Sequence, residues 1–126
     1  MKNKSIRSIS LAIAILASRS LLAVEPPKDD AAISTKLLAA IATSNYEAFI
    51  ADGEAPFKEL KKEQFESVAT QLGAKLNAGY EVSYLGELKK SGYRVTLWRV
   101  TYKDGSDDGL ATLSLKDGKV GGYFIR

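Results

Sequence analysis

Apolar positions in this chain follow one spacing up to Gly79 and another after it. Ile33, Leu37, Ala40 and Ile41 recur at helical spacing and form the stripe of a first helix. Asp30 stands where its side chain would cap that helix. Ser44-Asn45-Tyr46-Glu47 matches a capping box, with the serine capping forward and the glutamate reaching back. A new helix or a sharp bend is expected there, with Tyr46, Phe49 and Ile50 on one face and Asp52-Gly53 at its end. Ala55-Pro56-Phe57 reads as a turn whose phenylalanine tucks under the helices. From about Lys62 to Leu76, Phe65, Val68, Ala69, Leu72 and Leu76 predict a further amphipathic helix whose stripe packs across a sheet. Gly73, inside that pattern, marks a close approach to a strand, and Asn77-Ala78-Gly79 supplies the stop.

After Gly79 the period becomes two. Tyr80, Val82, Tyr84 and Leu88 alternate with polar residues, Lys90-Ser91-Gly92 turns the chain, and Tyr93 to Lys103 reads as the longest strand. Within it the apolar parity flips between Leu97 and Trp98, so either a bulge lies there or both faces of the strand are covered. Asp104 to Asp108 reads as a loop and Leu110 to Leu115 as a third strand. Asp117-Gly118 is a two-residue hairpin signal, and Lys119 to Arg126 is the fourth strand. Short connections force antiparallel neighbours. The expected fold is α+β, with two to three N-terminal helices on one face of a four-stranded antiparallel meander.

The first residues have a different pattern. Lys2, Lys4 and Arg7 precede the apolar run Ile9–Ala17, a small-residue region and Pro26-Pro27, the order of a secretory signal peptide. A run of about nine residues falls short of the roughly 20 a spanning helix needs. An uncleaved anchor extended through Leu21, Leu22 and Val24 would hold Arg19 within the span, at about 2.5–3.5 kcal/mol near a helix centre. The expected organisation is a signal peptide over 1–23, a proline-stiffened linker over 24–30 and one domain over 31–126. Cleavage is expected after Ala23, with Ser20 as the alternative, and the protein is read as exported, periplasmic or secreted.

Composition then removes several chemistries. The net charge is +3, but four of the eighteen basic residues and none of the fifteen acidic ones precede Val24. The remainder holds fourteen basic against fifteen acidic residues, a net of −1, so nucleic-acid binding loses its electrostatic basis. There is no cysteine and no histidine. That removes disulfides, a lipoprotein anchor, the thiol nucleophile, the commonest general base and the usual ligands of zinc, copper and iron.

The layout resembles the cystatin-like and nuclear-transport-factor-two-like superfamily, in which a long helix packs into a curved antiparallel sheet. The segments NYEAFIADGEAPFKELKKEQFESV, QLGAKL and KDGKVGGYFIR resemble, more specifically, an uncharacterised bacterial exported family. That family is a domain of unknown function found alone or ahead of an alpha/beta-hydrolase domain. The resemblance covers roughly Ala31 to Arg126, rests on core and turn residues, and implies a fold. It carries over no catalytic residue.

Candidate chemistry is sparse. Asp104, Ser106 and Asp108, with Gly109 sixth, resemble the first half of a calcium loop, but the twelfth position is Leu115 where a bidentate glutamate is needed. Gln71-Leu72-Gly73 lies on a helix, not on the hairpin wedge that cystatin-type inhibition requires. A tyrosine paired with a strand carboxylate, Glu81 or Glu87, would suit isomerase- or hydratase-type chemistry. Trp98 reads either as a core residue or as an exposed aromatic on the open sheet face. Trp98, Tyr102 and Tyr84 are the candidate binding residues, and no catalytic, metal or cofactor residue is assigned. The expected function is that of a non-enzymatic exported domain binding a protein or small ligand, with a homodimer through the sheet docked over Trp98. A small isomerase or hydratase is the alternative.

Overall fold

The computed structural model describes residues 24–126. The segment read as a signal peptide, with Ser20 and Ala23 at its two expected cleavage positions, lies outside the described residues. Four helices, α1 (Lys28–Ala42), α2 (Tyr46–Ile50), α3 (Ala55–Lys58) and α4 (Lys62–Asn77), precede β1 (Tyr80–Lys90), β2 (Tyr93–Tyr102), β3 (Gly109–Lys116) and β4 (Lys119–Ile125). The strands form one antiparallel sheet in the order β1-β2-β3-β4, with the helices on one face. The fold is α+β, as the sequence pattern predicts.

Local chemistry sets most of these boundaries. Ser91 and Gly92 have φ of 54° and 83°, and Asp117 and Gly118 have 51° and 76°. Both hairpins are therefore two-residue turns of the left-handed kind that matches strand twist. Ser44 also has a positive φ, 54°. It ends α1 in a Schellman motif, with Asn45 N–H donating to the Ala40 carbonyl and Ser44 N–H to the Ile41 carbonyl. The cap of α2 is accordingly Asn45, which accepts from Ala48 N–H at 3.1 Å, and not Ser44.

The first helix starts two residues before Asp30, so Lys28–Asp30 belong to the domain and not to the linker. Asp30 does not cap it. It lies in the first turn, fully buried, and its carboxylate takes a two-point contact from Arg94 of β2, 2.6 Å from Nη2 and 3.3 Å from Nε. The positive end of the helix dipole favours the same carboxylate. Asp30, Ser34, Leu37, Leu38 and Ile41 make the buried face of α1. On α4, Phe65, Ala69 and Leu76 are buried, Leu72 is half-buried, and Val68 is exposed. Gly73 is buried, but a Cβ there would touch nothing, so it marks no close approach.

The parity flip in β2 has a clear outcome. Thr96, Trp98, Val100 and Tyr102 face the helices, while Val95 and Leu97 face away. No bulge interrupts β2. The irregularity lies in its partner, where Tyr84 pairs with Trp98 and Gly86 with Leu97, leaving Leu85 unpaired. Gly86, at φ 146°, takes the backbone conformation that this bulge needs.

Candidate functional site

The three candidate binding residues do come together. Tyr84 and Trp98 are cross-strand partners with ring centroids 5.2 Å apart, and Tyr102 lies further along the same face. That face is the one covered by helices. Trp98 and Tyr102 are each 5% exposed, and Trp98 Nε1 donates to Thr96 Oγ1 at 3.0 Å. Trp98 is therefore a core residue, and no partner can dock over it without opening the domain. Lys75 lies over the Tyr102 ring, 5.4 Å from its centroid. Tyr84 is half-buried, and its hydroxyl makes an exposed contact with Glu87 at 3.5 Å, at the limit of a hydrogen bond.

The apolar residues left without cover are different ones. Leu88 and Val95 form a cross-strand pair on the outer face, and Leu97, Thr112 and Phe124 share the next row. Phe124 is 63% exposed.

Tyrosines and carboxylates meet closely once. Tyr93 donates to Glu54 at 2.6 Å, which raises the tyrosine pKa through stabilisation of its neutral form. The Tyr93 ring rests on Gly121, where a Cβ would collide with it, so the pair clamps the start of β4. The buried Asp30 faces Arg94 rather than a tyrosine. Tyr123 is buried against α1, and burial pushes its phenol well up. A weak interaction with neighbouring Ser34 offsets this in part, yet neither hydroxyl has a hydrogen-bond partner among the described residues. In the loop after β2, Asp104 accepts from Ser106 N–H at 2.9 Å and from Ser106 Oγ at 2.6 Å, which lowers its pKa. The half-motif of a calcium loop is thus an Asx turn. Among the described residues no three metal-ligating side chains cluster, and no helix is long and apolar enough to cross a membrane.

The main concavity lies elsewhere, between β4 and the short helices. It is an open cleft of about 640 Å³. Ile41, Phe49, Phe57, Leu60, Phe65 and Val68 line it from the helices, and residues 121–125 line it from β4. Its floor is an aromatic cluster, with Phe49 5.4 Å from Phe57, 5.0 Å from Phe65 and 6.3 Å from Tyr123. Tyr46 packs on Phe65 and donates to the Leu60 carbonyl, which pins the α3–α4 connection over the cluster. Glu59 is the one charged residue of the lining. Sequence reasoning missed this site because its residues come from five separate segments. The available signals were Phe57 beside a proline and Val68, an apolar residue on the edge of the α4 stripe.

No protein-family profile and no curated protein matches this chain. Among solved structures, it is similar to an uncharacterized cystatin fold protein from Novosphingobium aromaticivorans. The identity is 13% and the TM-score 0.38, over 75% of this chain and 94% of that one.

Proposed function

We propose that this protein is an exported, non-enzymatic binding domain and that its binding site is the apolar cleft between β4 and helices α2–α4. The observation that carries the reading is the cleft itself, about 640 Å³ of mostly apolar wall. Burying apolar surface in such a concavity drives association without any reacting group. The isomerase or hydratase alternative needs a carboxylate free to take a proton inside a pocket. Glu54 is committed to Tyr93 at the strand edge and Asp30 to Arg94, while Glu81 and Glu87 of β1 and Glu59 on the cleft wall are exposed to solvent. Export is supported by the leader and by the resemblance to an exported bacterial family. Protein recovered from the periplasm or medium should begin near Leu21 or Val24, and recovery of cytoplasmic protein with intact Met1 would defeat that part.

An anilinonaphthalenesulfonate dye tests the site. It should bind saturably to the folded protein with a rise in emission. Val68→Lys, at an exposed position on the cleft wall, should abolish the rise and leave the near-ultraviolet circular dichroism of Trp98 unchanged. Absence of dye binding, or binding indifferent to Val68→Lys, would overturn the assignment. A second reading, a homodimer through the outer sheet face, is favoured by the exposed Leu88, paired with the half-buried Val95, and by the exposed Phe124. Sedimentation at micromolar concentration decides it: a dimer that Phe124→Lys dissociates supports it, and a monomer excludes it.

A further inference from the structure

The cleft meets unpaired backbone along β4. In the β3–β4 ladder, Leu110 N–H donates to the Arg126 carbonyl at 2.9 Å and Arg126 N–H to the Leu110 carbonyl at 3.0 Å. Antiparallel ladders alternate hydrogen-bonded and non-bonded pairs. Thr112–Phe124 and Ser114–Gly122 are therefore bonded pairs, and Tyr123 and Ile125 turn their N–H and C=O groups to the opposite, open edge. Val120 does the same, and there the molecule supplies its own partner. Glu54 N–H donates to the Val120 carbonyl, and Val120 N–H to the Asp52 carbonyl, both at 2.8 Å. Residues 52–54 thus add to the edge as a short parallel segment, bridged through Gly53, and then leave into α3. Beyond them, Tyr123 and Ile125 line the cleft, and among the described residues no backbone group pairs with their outward side.

We propose that the cleft takes an extended, apolar peptide segment, which adds to β4 beyond residues 52–54 and pairs with Tyr123 and Ile125. This rests on the reading of the cleft as the binding site and names its ligand class. Two features select an extended chain over a compact apolar molecule. Outward N–H and C=O groups recur two residues apart, at about 6.8 Å, the repeat of a strand. The same edge already holds an added segment at Val120. Side chains of an added strand alternate between faces. One set would enter the cleft against Phe57, Leu60 and Val68, and the other would stand beside Phe124 on the outer face. Glu59 disfavours an acidic residue in the inward set.

The test uses a capped hexapeptide alternating valine with lysine, a version with aspartate for valine, and two versions N-methylated on either alternate set of amides. Calorimetry and amide hydrogen exchange of the protein are the readouts. The parent peptide should bind and displace the dye, and the aspartate version should not. One of the two methylated peptides should bind about tenfold more weakly, from the loss of backbone hydrogen bonds. Exchange at Tyr123 and Ile125 should slow in the complex. Equal binding of both methylated peptides, unchanged exchange at those amides, or dye binding without peptide binding would overturn the proposal while the cleft stands. Failure of the dye itself would strike the cleft assignment instead.

Discussion

Among the described residues three polar ones are buried, Asp30, Ser34 and Thr96, and each is handled differently. Thr96 accepts the Trp98 indole N–H. Asp30 is answered by Arg94, whose side chain is 43% exposed and whose pKa is raised by that contact. Removing Arg94 would leave a buried carboxylate without its counter-ion. Arg94→Gln should therefore cost roughly 2–3 kcal/mol in urea unfolding, below the loss for a fully buried pair because water reaches the vacated side. Arg94→Lys should recover little of it, because an ammonium cannot make the two-point contact. The hydroxyls of Ser34 and Tyr123 have no hydrogen-bond partner among the described residues. The neutral Tyr123 hydroxyl is favoured by burial, so its folded pKa lies above the unfolded value near 10. Above pH 10 the folded state keeps a proton that the unfolded chain has lost, and stability falls as pH rises. Tyr123→Phe should remove that contribution, up to about 1.4 kcal/mol per pH unit, and leave stability at pH 7 equal or higher. Thermal unfolding of both proteins at pH 7 and above pH 10 checks it.

Among the helices, α4 holds the least optimised position. Gly73 is helical and buried, yet open to a Cβ. Gly73→Ala should stabilise the domain by up to about 1 kcal/mol, read as a higher urea midpoint at constant slope. A loss would mean that the space beside Gly73 is required. The strands show how far an element can be read from its own sequence. Both two-residue turns were legible, since Ser91-Gly92 and Asp117-Gly118 allow the backbone conformation that hairpins need. The caps were less so. Ser44 has the side chain of an N-cap but serves as the left-handed residue closing α1, because Asn45 can cap α2 equally well. Asp30 has the same ambiguity, and the cation that decides its role lies 64 positions away.

For the whole molecule, helices and sheet share one core. Leu37, Leu38 and Ile41 of α1, Phe65 of α4, and Trp98, Val100 and Leu113 of the sheet are buried in a single cluster. Asn77 Nδ2 also donates to the Ala42 carbonyl at 3.0 Å, tying the end of α4 to the end of α1. Neither layer keeps a core without the other, so unfolding should be two-state. Trp98 emission, blue-shifted in the native protein, and far-ultraviolet circular dichroism should follow one urea curve. Separate midpoints would show that the helices detach first.

By itself, the sequence determined the α+β class, the strand order and the hairpins. Helical and strand periods, and residues that tolerate positive φ, are local properties carried by neighbouring positions. It did not determine which face of β2 is the core face. Val95 and Leu97 compete there with Trp98, Val100 and Tyr102, and β2 alone holds no deciding signal. Tertiary structure made that choice through the bulge at Leu85 in β1 and the reach of Arg94 to Asp30. It also made the cleft, because the short α2 and α3 helices and residues 52–54 cover only the start of the β4 edge. A surface assembled from distant segments leaves no periodic trace in any one of them.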